Sequence, residues 1–104
     1  MKITFLGTKG YIEQPTDLHR MHTSALVSYR GSSIRIDCGE DWIGRCSEAR
    51  YDALFITHCH PDHAWGLKSG IDRPVFATSD SWKEMRPWPI SDRHTIEDRD
   101  TVEV

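Results

Sequence analysis

The sequence predicts a layered α/β fold, because three kinds of apolar pattern follow one another along its 104 residues. The opening stretch alternates apolar and polar residues as a half-buried strand does, with Ile3 and Phe5 set against Lys2 and Thr4. Later stretches are continuously apolar, as in strands covered on both faces, and short helical patterns lie between them. Strands and helices in alternation are typical of α/β proteins.

The first half of the chain is predicted to hold one strand and a β-hairpin, joined by a long loop. Residues 9–22 carry glycine, proline and scattered charges without periodicity, which predicts the loop. Two alternating runs follow and predict the hairpin, with residues 30–33 as its turn. A helix is expected from about Asp41 to Ala49, because Asp41 can act as its N-cap and apolar residues recur at helical spacing.

The second half is predicted to alternate buried strands with short helices. The runs "YDALFITH" and "PVFAT" are typical of strands covered on both faces. "DHAWGLKSG" predicts a short helix that begins at Pro61 or Asp62, and "SDSWKEM" predicts another that is capped by Ser79 or Asp80. Residues 93–104 are expected to form two short strands around a turn.

Composition and cysteine usage limit the class of protein. A net charge of -3 and a pI near 6.0 give no global basic field, which disfavours broad attachment to nucleic acid or anionic lipid. The N-terminus does not resemble a signal peptide and no stretch is long enough to span a membrane, so we predict a cytoplasmic protein without a membrane partner. Cys38, Cys46 and Cys59 show no CxxC spacing and are expected to be reduced thiols, with Cys59 not a metal ligand.

The strongest motif is "THCHPDH", which brings His58, His60, Asp62 and His63 within six residues. Residues two apart at a strand end project to the same side, so His58 and His60 can bind one ion together. Asp62 and His63 follow at a helix start and can serve a second ion. Mixed nitrogen and oxygen donors favour zinc, with manganese and iron as alternatives. A lone histidine is more often an ordinary residue, but this cluster after a buried strand indicates a metal site.

Together with "MKITFLGT" and "IRIDCGE", the stretch "ITHCHPDHAWGL" resembles the signature of the metallo-β-lactamase superfamily, over nearly the whole chain. The resemblance implies a four-layer αβ/βα sandwich, in which two β-sheets face each other and two divalent ions, most often Zn²⁺, lie at the rim. It assigns His58 and His60 to the first metal, and Asp62 and His63 to the second. Asp37 matches the aspartate that supports the site from behind. A carboxylate that accepts the amides of its own turn is the equal alternative.

"ITFLGT" is similar to the phosphodiesterase branch of that superfamily, which includes ribonuclease Z and small cyclic phosphodiesterases. The resemblance implies hydrolysis of a phosphoester, in a nucleic acid or a small molecule, by a metal-activated water. Asp62 is expected to be both a ligand and the catalytic group that holds this water. The substrate-binding residues are unknown, and His19, Arg20 and His22 are expected to belong to a solvated loop rather than to contact the substrate.

The ligands that complete such a site downstream are not visible in this chain. The one downstream histidine, His94, lies at the start of a predicted strand and is expected at the surface. Residues 1–104 therefore predict a single partial domain, the N-terminal half of the sandwich, with one sheet face uncovered. We expect a hydrolase that needs a C-terminal half, a partner chain or a second copy. The alternative is a non-catalytic metal-binding or interaction module that pairs through its open sheet.

Overall fold

The computed structural model describes residues 1–12 and 14–104, and its strands form one six-stranded sheet. The strands lie side by side in the order in which they occur along the chain. Together with the helices on one face of the sheet, they confirm the predicted α/β class. The strands are β1 (Lys2–Gly7), β2 (Ser24–Tyr29), β3 (Ser32–Ile36), β4 (Ala53–Phe55), β5 (Val75–Ala77) and β6 (Arg93–Thr95).

The pairing of neighbouring strands changes once across the sheet, from antiparallel to parallel. β1, β2 and β3 form an antiparallel meander, whereas β3, β4, β5 and β6 pair in parallel. The predicted hairpin is confirmed, but its turn consists of Arg30 and Gly31 alone, with φ of 49° and 85°. Positive φ at both central residues is the geometry of a two-residue turn that matches the twist of the strands.

Short helical segments connect the parallel strands. Thr78, rather than the predicted Ser79 or Asp80, caps the second α-helix, because its hydroxyl accepts a hydrogen bond from the Ser81 amide. No helix within the described parts of the chain has the length and apolar character that crossing a membrane requires. The helical segments are the 3-10 turn Glu40–Trp42, α1 (Pro61–Ala64), the 3-10 helix Trp65–Ser69 that continues α1, and α2 (Ser79–Glu84).

The helix predicted for residues 41–49 is wrong beyond its first turn. Gly44 adopts a φ of 73°, which takes the backbone out of the helical region. The Cys46 carbonyl then accepts hydrogen bonds from Arg35 Nη1 and the Tyr51 hydroxyl, at 2.8 and 2.6 Å. The Cys46 carbonyl therefore accepts hydrogen bonds from two core side chains and not from a backbone amide further along a helix.

Of the two strands predicted near the C-terminus, β6 forms and the second does not. Residues 101–104 form no strand pairing. The turn before them is closed by Glu97 and Asp100, whose backbone amides bond to the Asp100 carboxylate and the Glu97 carbonyl. Arg99 adopts a φ of 72° within this turn. The alternating pattern of residues 101–104 is thus not sufficient to form a strand, because these residues pair with no neighbouring strand in the described part of the chain.

Cys38 and Cys46 form a disulfide, with their Cα atoms 6.4 Å apart, so the expectation of reduced thiols is wrong for this pair. Both residues are buried in the core. The fold brings them together across the turn that follows β3, which their spacing alone does not indicate. Cys59 is a free thiol, and burial together with the nearby Glu84 carboxylate raises its pKa to about 12. The cytoplasmic location stays a prediction.

One face of the sheet carries the hydrophobic core. Leu54 and Ile56 from β4 and its extension pack with Val75 and Ala77 of β5, beneath the helical segments. This packing removes them almost completely from water, which is the main stabilising contribution in a domain of this size. The helical layer contributes Trp42, Leu67, Ile71, Met85 and Ile90 to the same core.

The opposite face of the sheet is uncovered and apolar, as predicted. Ile3, Phe5 and Tyr29 on this side are 50%, 73% and 54% exposed. Directly paired residues share a face, and a continuous row crosses the strands on this side. Phe55 and Phe76 in this row stack with their ring centroids 4.6 Å apart. An apolar face of this extent indicates a surface that another layer covers.

Arg35 is the one charged side chain in the core that lacks an acidic partner among the described residues. It is fully buried and lies over the Trp42 ring, with its Cζ atom 4.6 Å from the ring centroid. Nε donates to Ser24 Oγ and Nη1 to the Cys46 carbonyl, but Nη2 has no hydrogen-bond partner in the described part of the chain. Burial lowers the pKa of this guanidinium.

We expect Arg35→Met to leave the free energy of unfolding unchanged or raised, because it keeps the aliphatic volume and removes a buried charge that no carboxylate balances. Arg35→Ala should cost about 2–4 kcal/mol, because it leaves a cavity beside Trp42. Urea unfolding of the two variants measures the difference. A loss of about 2 kcal/mol or more in the methionine variant would show that the charge itself stabilises the fold.

Candidate metal centre

The motif spans the loop between β4 and α1 and the first turn of α1, at the carboxyl end of the central parallel strands. His58 and His60 follow the strand directly, and α1 begins at Pro61, whose fixed φ suits the first position of a helix. Asp62 and His63 therefore lie in the first turn of α1, as predicted. Four potential ligands from two elements are brought to one rim of the sheet.

The Asp37 carboxylate lies beneath this rim and is 2% exposed. Oδ1 accepts from the Thr57 amide at 2.8 Å, and Oδ2 accepts from the Thr57 hydroxyl at 2.7 Å and from His63 Nδ1 at 2.6 Å. These contacts reach Thr57 and His63 and not the amides of the turn that follows Asp37, while a supporting role at a metal site stays a prediction. Asp37 also adopts a φ of 62°, which an aspartate tolerates better than most residues.

Asp37 fixes the proton positions of two histidines. Because a carboxylate only accepts, His63 Nδ1 donates to Asp37, and in the neutral ring Nε2 therefore carries the lone pair. The Thr57 hydroxyl gives its own proton to Asp37, so it accepts from His58 Nδ1 at 3.0 Å. Each neutral ring thus carries its lone pair on Nε2, which is the tautomer that can bind a metal through that nitrogen.

The His58 ring packs against the rings of both His60 and His63. The His58 ring centroid lies 4.4 Å from that of His60 and 4.1 Å from that of His63. Burial lowers the pKa of His58, and the neighbouring His63 and His60 rings lower it further. Neutral imidazole is the metal-binding form, so this packing favours ligand behaviour near pH 7.

Asp62 and His63 are arranged as two ligands of one ion would be. His63 Nε2 and Asp62 Oδ2 lie 3.1 Å apart, close to the roughly 3.3 Å between ligand atoms that tetrahedral zinc geometry implies. Two acceptor atoms at this distance repel each other unless a cation or a proton lies between them. The donor set therefore fits a borderline divalent cation.

Across residues 1–12 and 14–104, no three histidine, cysteine, aspartate or glutamate side chains converge tightly enough to hold one ion. The motif side chains make pairwise contacts instead, His63 Nε2 with the Asp62 carboxylate and the His58 ring with those of His60 and His63. His94 is not among them, because its ring stacks on Phe76 and its Nε2 bonds to Asp92 at 2.7 Å. A complete two-metal centre needs further ligands.

Two features of the site are not predicted by the sequence analysis. Thr57 carries the proton relay from His58 to Asp37, and its position directly before the first histidine is the only signal for that role. His22 belongs to the loop that was expected to be solvated, yet its side chain is only 12% exposed. Its backbone amide and Nδ1 both bond to Asp41.

Comparison with known proteins gives a family and a set of relatives. The family model of the anti-Pycsar protein Apyc1 matches residues 1–86. A ribonuclease Z of Methanococcus maripaludis is 40% identical over 81 residues, which are 73% of this chain and 25% of that protein. A ribonuclease Z of Salinibacter ruber is 43% identical over 68 residues, 60% of this chain and 20% of that protein. The chain thus spans about a quarter of the length of these relatives.

Solved structures show the same fold at low sequence identity. A diphosphatase of the PhnP family superimposes with a TM-score of 0.69 at 20% identity, covering 98% of this chain and 52% of that one. The short form of human tRNase Z gives 0.59 at 22% identity, with 91% and 45% covered. The metallo-β-lactamase fold protein YhfI of Bacillus subtilis gives 0.67 at 14% identity, with 97% and 48% covered.

The chain therefore corresponds to about half of the solved metallo-β-lactamase folds that it matches. This coverage confirms the resemblance drawn from the sequence, and it agrees with a sheet that is covered on one face only. Its fold is that of the metallo-β-lactamase fold protein YhfI, and on the family match over residues 1–86 the chain belongs to the family of the anti-Pycsar protein Apyc1.

Proposed function

We propose that this chain supplies half of the active site of a metal-dependent phosphodiester hydrolase. The observation that carries the proposal is the hydrogen bonding of Asp37 to His63 directly and to His58 through Thr57, which places the lone pair of each neutral ring on Nε2. His58 and His60 would hold one divalent ion, and Asp62 with His63 a second, with zinc the best fit and manganese or iron as alternatives. The names of the ribonuclease Z relatives support a phosphoester substrate.

The chemistry divides between the cations and the side chains. When bound, the divalent ions would supply positive charge at the phosphoryl group and acidify a water molecule. The Asp62 carboxylate, 7% exposed, would hold the attacking water in line with phosphorus. His63 stays oriented through its bond to Asp37, so the geometry is set before a substrate arrives.

The uncovered sheet face supports the need for a second half. Ile3 and Phe5 are large apolar residues at least half exposed, and the chain covers only 52% of the related diphosphatase structure. An open cavity of about 630 Å³ lies on the same face, between Tyr29, Ile34 and Val102. The remaining ligands would come with the layer that covers this face, whether downstream sequence, a partner chain or a second copy.

Metal content and hydrolysis test the proposal in two steps. Chain purified without added metal should carry transition-metal ions, and fewer than about 0.2 per chain would contradict a ligand cluster here. His58→Ala combined with His60→Ala should abolish the uptake of one ion. Hydrolysis of bis(p-nitrophenyl) phosphate should be absent in the chain alone and present in a form extended into its downstream reading frame. Equal activity in both forms would refute the half-site.

The second candidate is a non-catalytic metal-binding or interaction module that pairs through the open face. The exposed Phe5, Tyr29 and Ile3 side chains favour it, because apolar faces of this kind are typical of interaction surfaces. Bound metal without hydrolysis in the extended form would select this candidate over the enzyme.

A further inference from the structure

The disulfide between Cys38 and Cys46 lies directly behind the candidate metal centre. Cys38 follows Asp37, the buried carboxylate that accepts from His63 Nδ1. The backbone of Cys38 joins the end of β3 to α1 and its 3-10 continuation. Its amide donates to the His63 carbonyl at 2.7 Å, and its carbonyl accepts from the Gly66 amide at 2.9 Å. A movement of Cys38 therefore displaces both a proposed ligand and the carboxylate that orients it.

Cys46 is the sulfur of the pair that lies nearer to solvent. It belongs to the turn at residues 43–48, in which its neighbours Arg45 and Ser47 are exposed. Cys46 itself is 4% exposed, whereas Cys38 is 0% exposed. Exposed turns of this kind open transiently without unfolding of the core. A small thiol in solution therefore reaches Cys46 Sγ before it reaches Cys38 Sγ.

The two sulfur atoms lie where the packing is close. A Cβ atom added at Gly66 would come 3.0 Å from Cys46 Sγ, so the 3-10 helix leaves little room beside the disulfide. Two unbonded thiols need more room than a disulfide, because a van der Waals contact is longer than a covalent bond. The Cys46 carbonyl is anchored by Arg35 Nη1 and the Tyr51 hydroxyl. In the reduced state the extra room therefore comes from displacement of Cys38.

We propose that Cys38 and Cys46 form a reversible redox site, which small thiols such as glutathione reduce. Its disulfide form holds Asp37 and His63 in the arrangement that binds a metal, and its reduced form binds the metal more weakly. Disulfides of cytoplasmic proteins, the predicted location of this chain, are usually transient and redox-sensing rather than structural. The effect on metal binding rests on the proposed hydrolase, whereas the redox site itself does not.

Reduction consists of two successive thiol–disulfide exchanges. A glutathione thiolate forms a bond to Cys46 Sγ, the bond between the cysteine sulfurs breaks, and Cys38 leaves as a thiolate that takes up a proton. A second glutathione thiolate then attacks the glutathione sulfur of this mixed disulfide, and Cys46 leaves as a thiolate that is protonated in turn. Two glutathione thiols thus give two electrons and two protons to the cysteine pair and become one molecule of oxidised glutathione.

Equilibration of the metal-free chain with glutathione buffers of graded reduced-to-oxidised ratio tests the redox site. Acid quenching, alkylation in denaturant and mass spectrometry count the thiols. The count should rise from the single thiol of Cys59 to all three cysteines, between the ratios of an oxidising compartment and of a cytoplasm. Cys59, which borders α2 beside Glu84, should be alkylated at every ratio. A pair that stays bonded at the most reducing ratio, or reduced at the most oxidising one, would overturn the proposal.

Amide signals of the ¹⁵N-labelled, metal-free chain report whether reduction reaches the candidate site. Reduction should shift the signals of Cys38 and Gly66, which bond between β3 and the helical segments, and that of Thr57, which bonds to Asp37. The Ser33 amide lies near the other end of β3, bonded to Asp52, and its signal should stay in place. Shifts confined to residues 43–48 would refute the link between the cysteine pair and the ligands.

Chelator competition, after glutathione is removed under argon, measures the effect on zinc. The reduced chain should bind zinc about tenfold more weakly than the oxidised chain, as is typical when the support of a ligand is lost. Cys59→Ser should keep this difference, whereas Cys46→Ala, which cannot form the disulfide, should bind zinc alike after either treatment. A difference that persists in Cys46→Ala, or equal affinities in the unchanged chain, would contradict the coupling. If zinc binds in neither state, the proposed function fails, while the thiol count and the amide shifts still decide the redox site.

Discussion

Asp37→Asn is expected to lower the affinity for a divalent cation by about 10–100-fold while the chain stays folded. The amide oxygen can still accept from the Thr57 amide, but its nitrogen must now donate where Oδ2 accepts. His63 Nδ1 then becomes an acceptor, and its proton moves to Nε2. The Thr57 hydroxyl turns to donate to His58 Nδ1, which places a proton on His58 Nε2 as well. Replacing one buried carboxylate oxygen by an amide nitrogen thus protonates Nε2 of both His63 and His58, and neither nitrogen can then bind a metal.

Competition with a chromophoric chelator measures this loss, and ¹⁵N chemical shifts of the imidazole nitrogens report which one is protonated. Asp52→Asn is the matched control, because Asp52 also accepts a backbone amide, that of Ser33 at 2.8 Å, but contacts no motif histidine. Its metal affinity should be unchanged. Metal affinity that falls equally in both variants would show that general stability, and not the proton relay, sets binding.

The sequence predicts the elements that depend on local pattern. The hairpin follows from two alternating runs with Gly31 between them, and α1 follows from Pro61 at a helix start. The helix expected for residues 41–49 does not form beyond its first turn, although its apolar residues Trp42 and Cys46 are buried in the core. Arg35, eleven residues before Cys46, takes the Cys46 carbonyl, and no local pattern contains that contact.

The candidate site was predictable in its residue types and less so in its connections. Four residues within six positions are sufficient to suggest a metal cluster. The contact between Asp37 and His63, in contrast, joins residues 26 positions apart. The two alternative roles of Asp37 cannot be distinguished from the sequence, because the distance between Asp37 and His63 is set only by the fold. His22 is expected to be solvated because loops are generally polar, whereas it packs closely against Gly39 and bonds to Asp41.

Gly39→Ala is expected to destabilise the fold by about 3 kcal/mol and to weaken metal binding. The backbone is not the reason, since Gly39 has a φ of -68°, which alanine adopts freely. An added methyl group would instead overlap the His22 Cβ atom on one side and the Asp62 carbonyl on the other. The overlap cannot be relieved without moving the loop that holds His22 away from the motif helix.

Gly44→Ala is the control for Gly39→Ala, because it introduces backbone strain without steric overlap. Gly44 has a φ of 73°, but a Cβ there meets nothing within 4 Å, so its cost is backbone strain alone, about 1 kcal/mol. Urea unfolding should rank Gly39→Ala as clearly more damaging, and chelator competition should show a loss of metal affinity only there. If the two variants unfold alike and bind metal alike, the close approach of the His22 loop to Asp62 does not control the site.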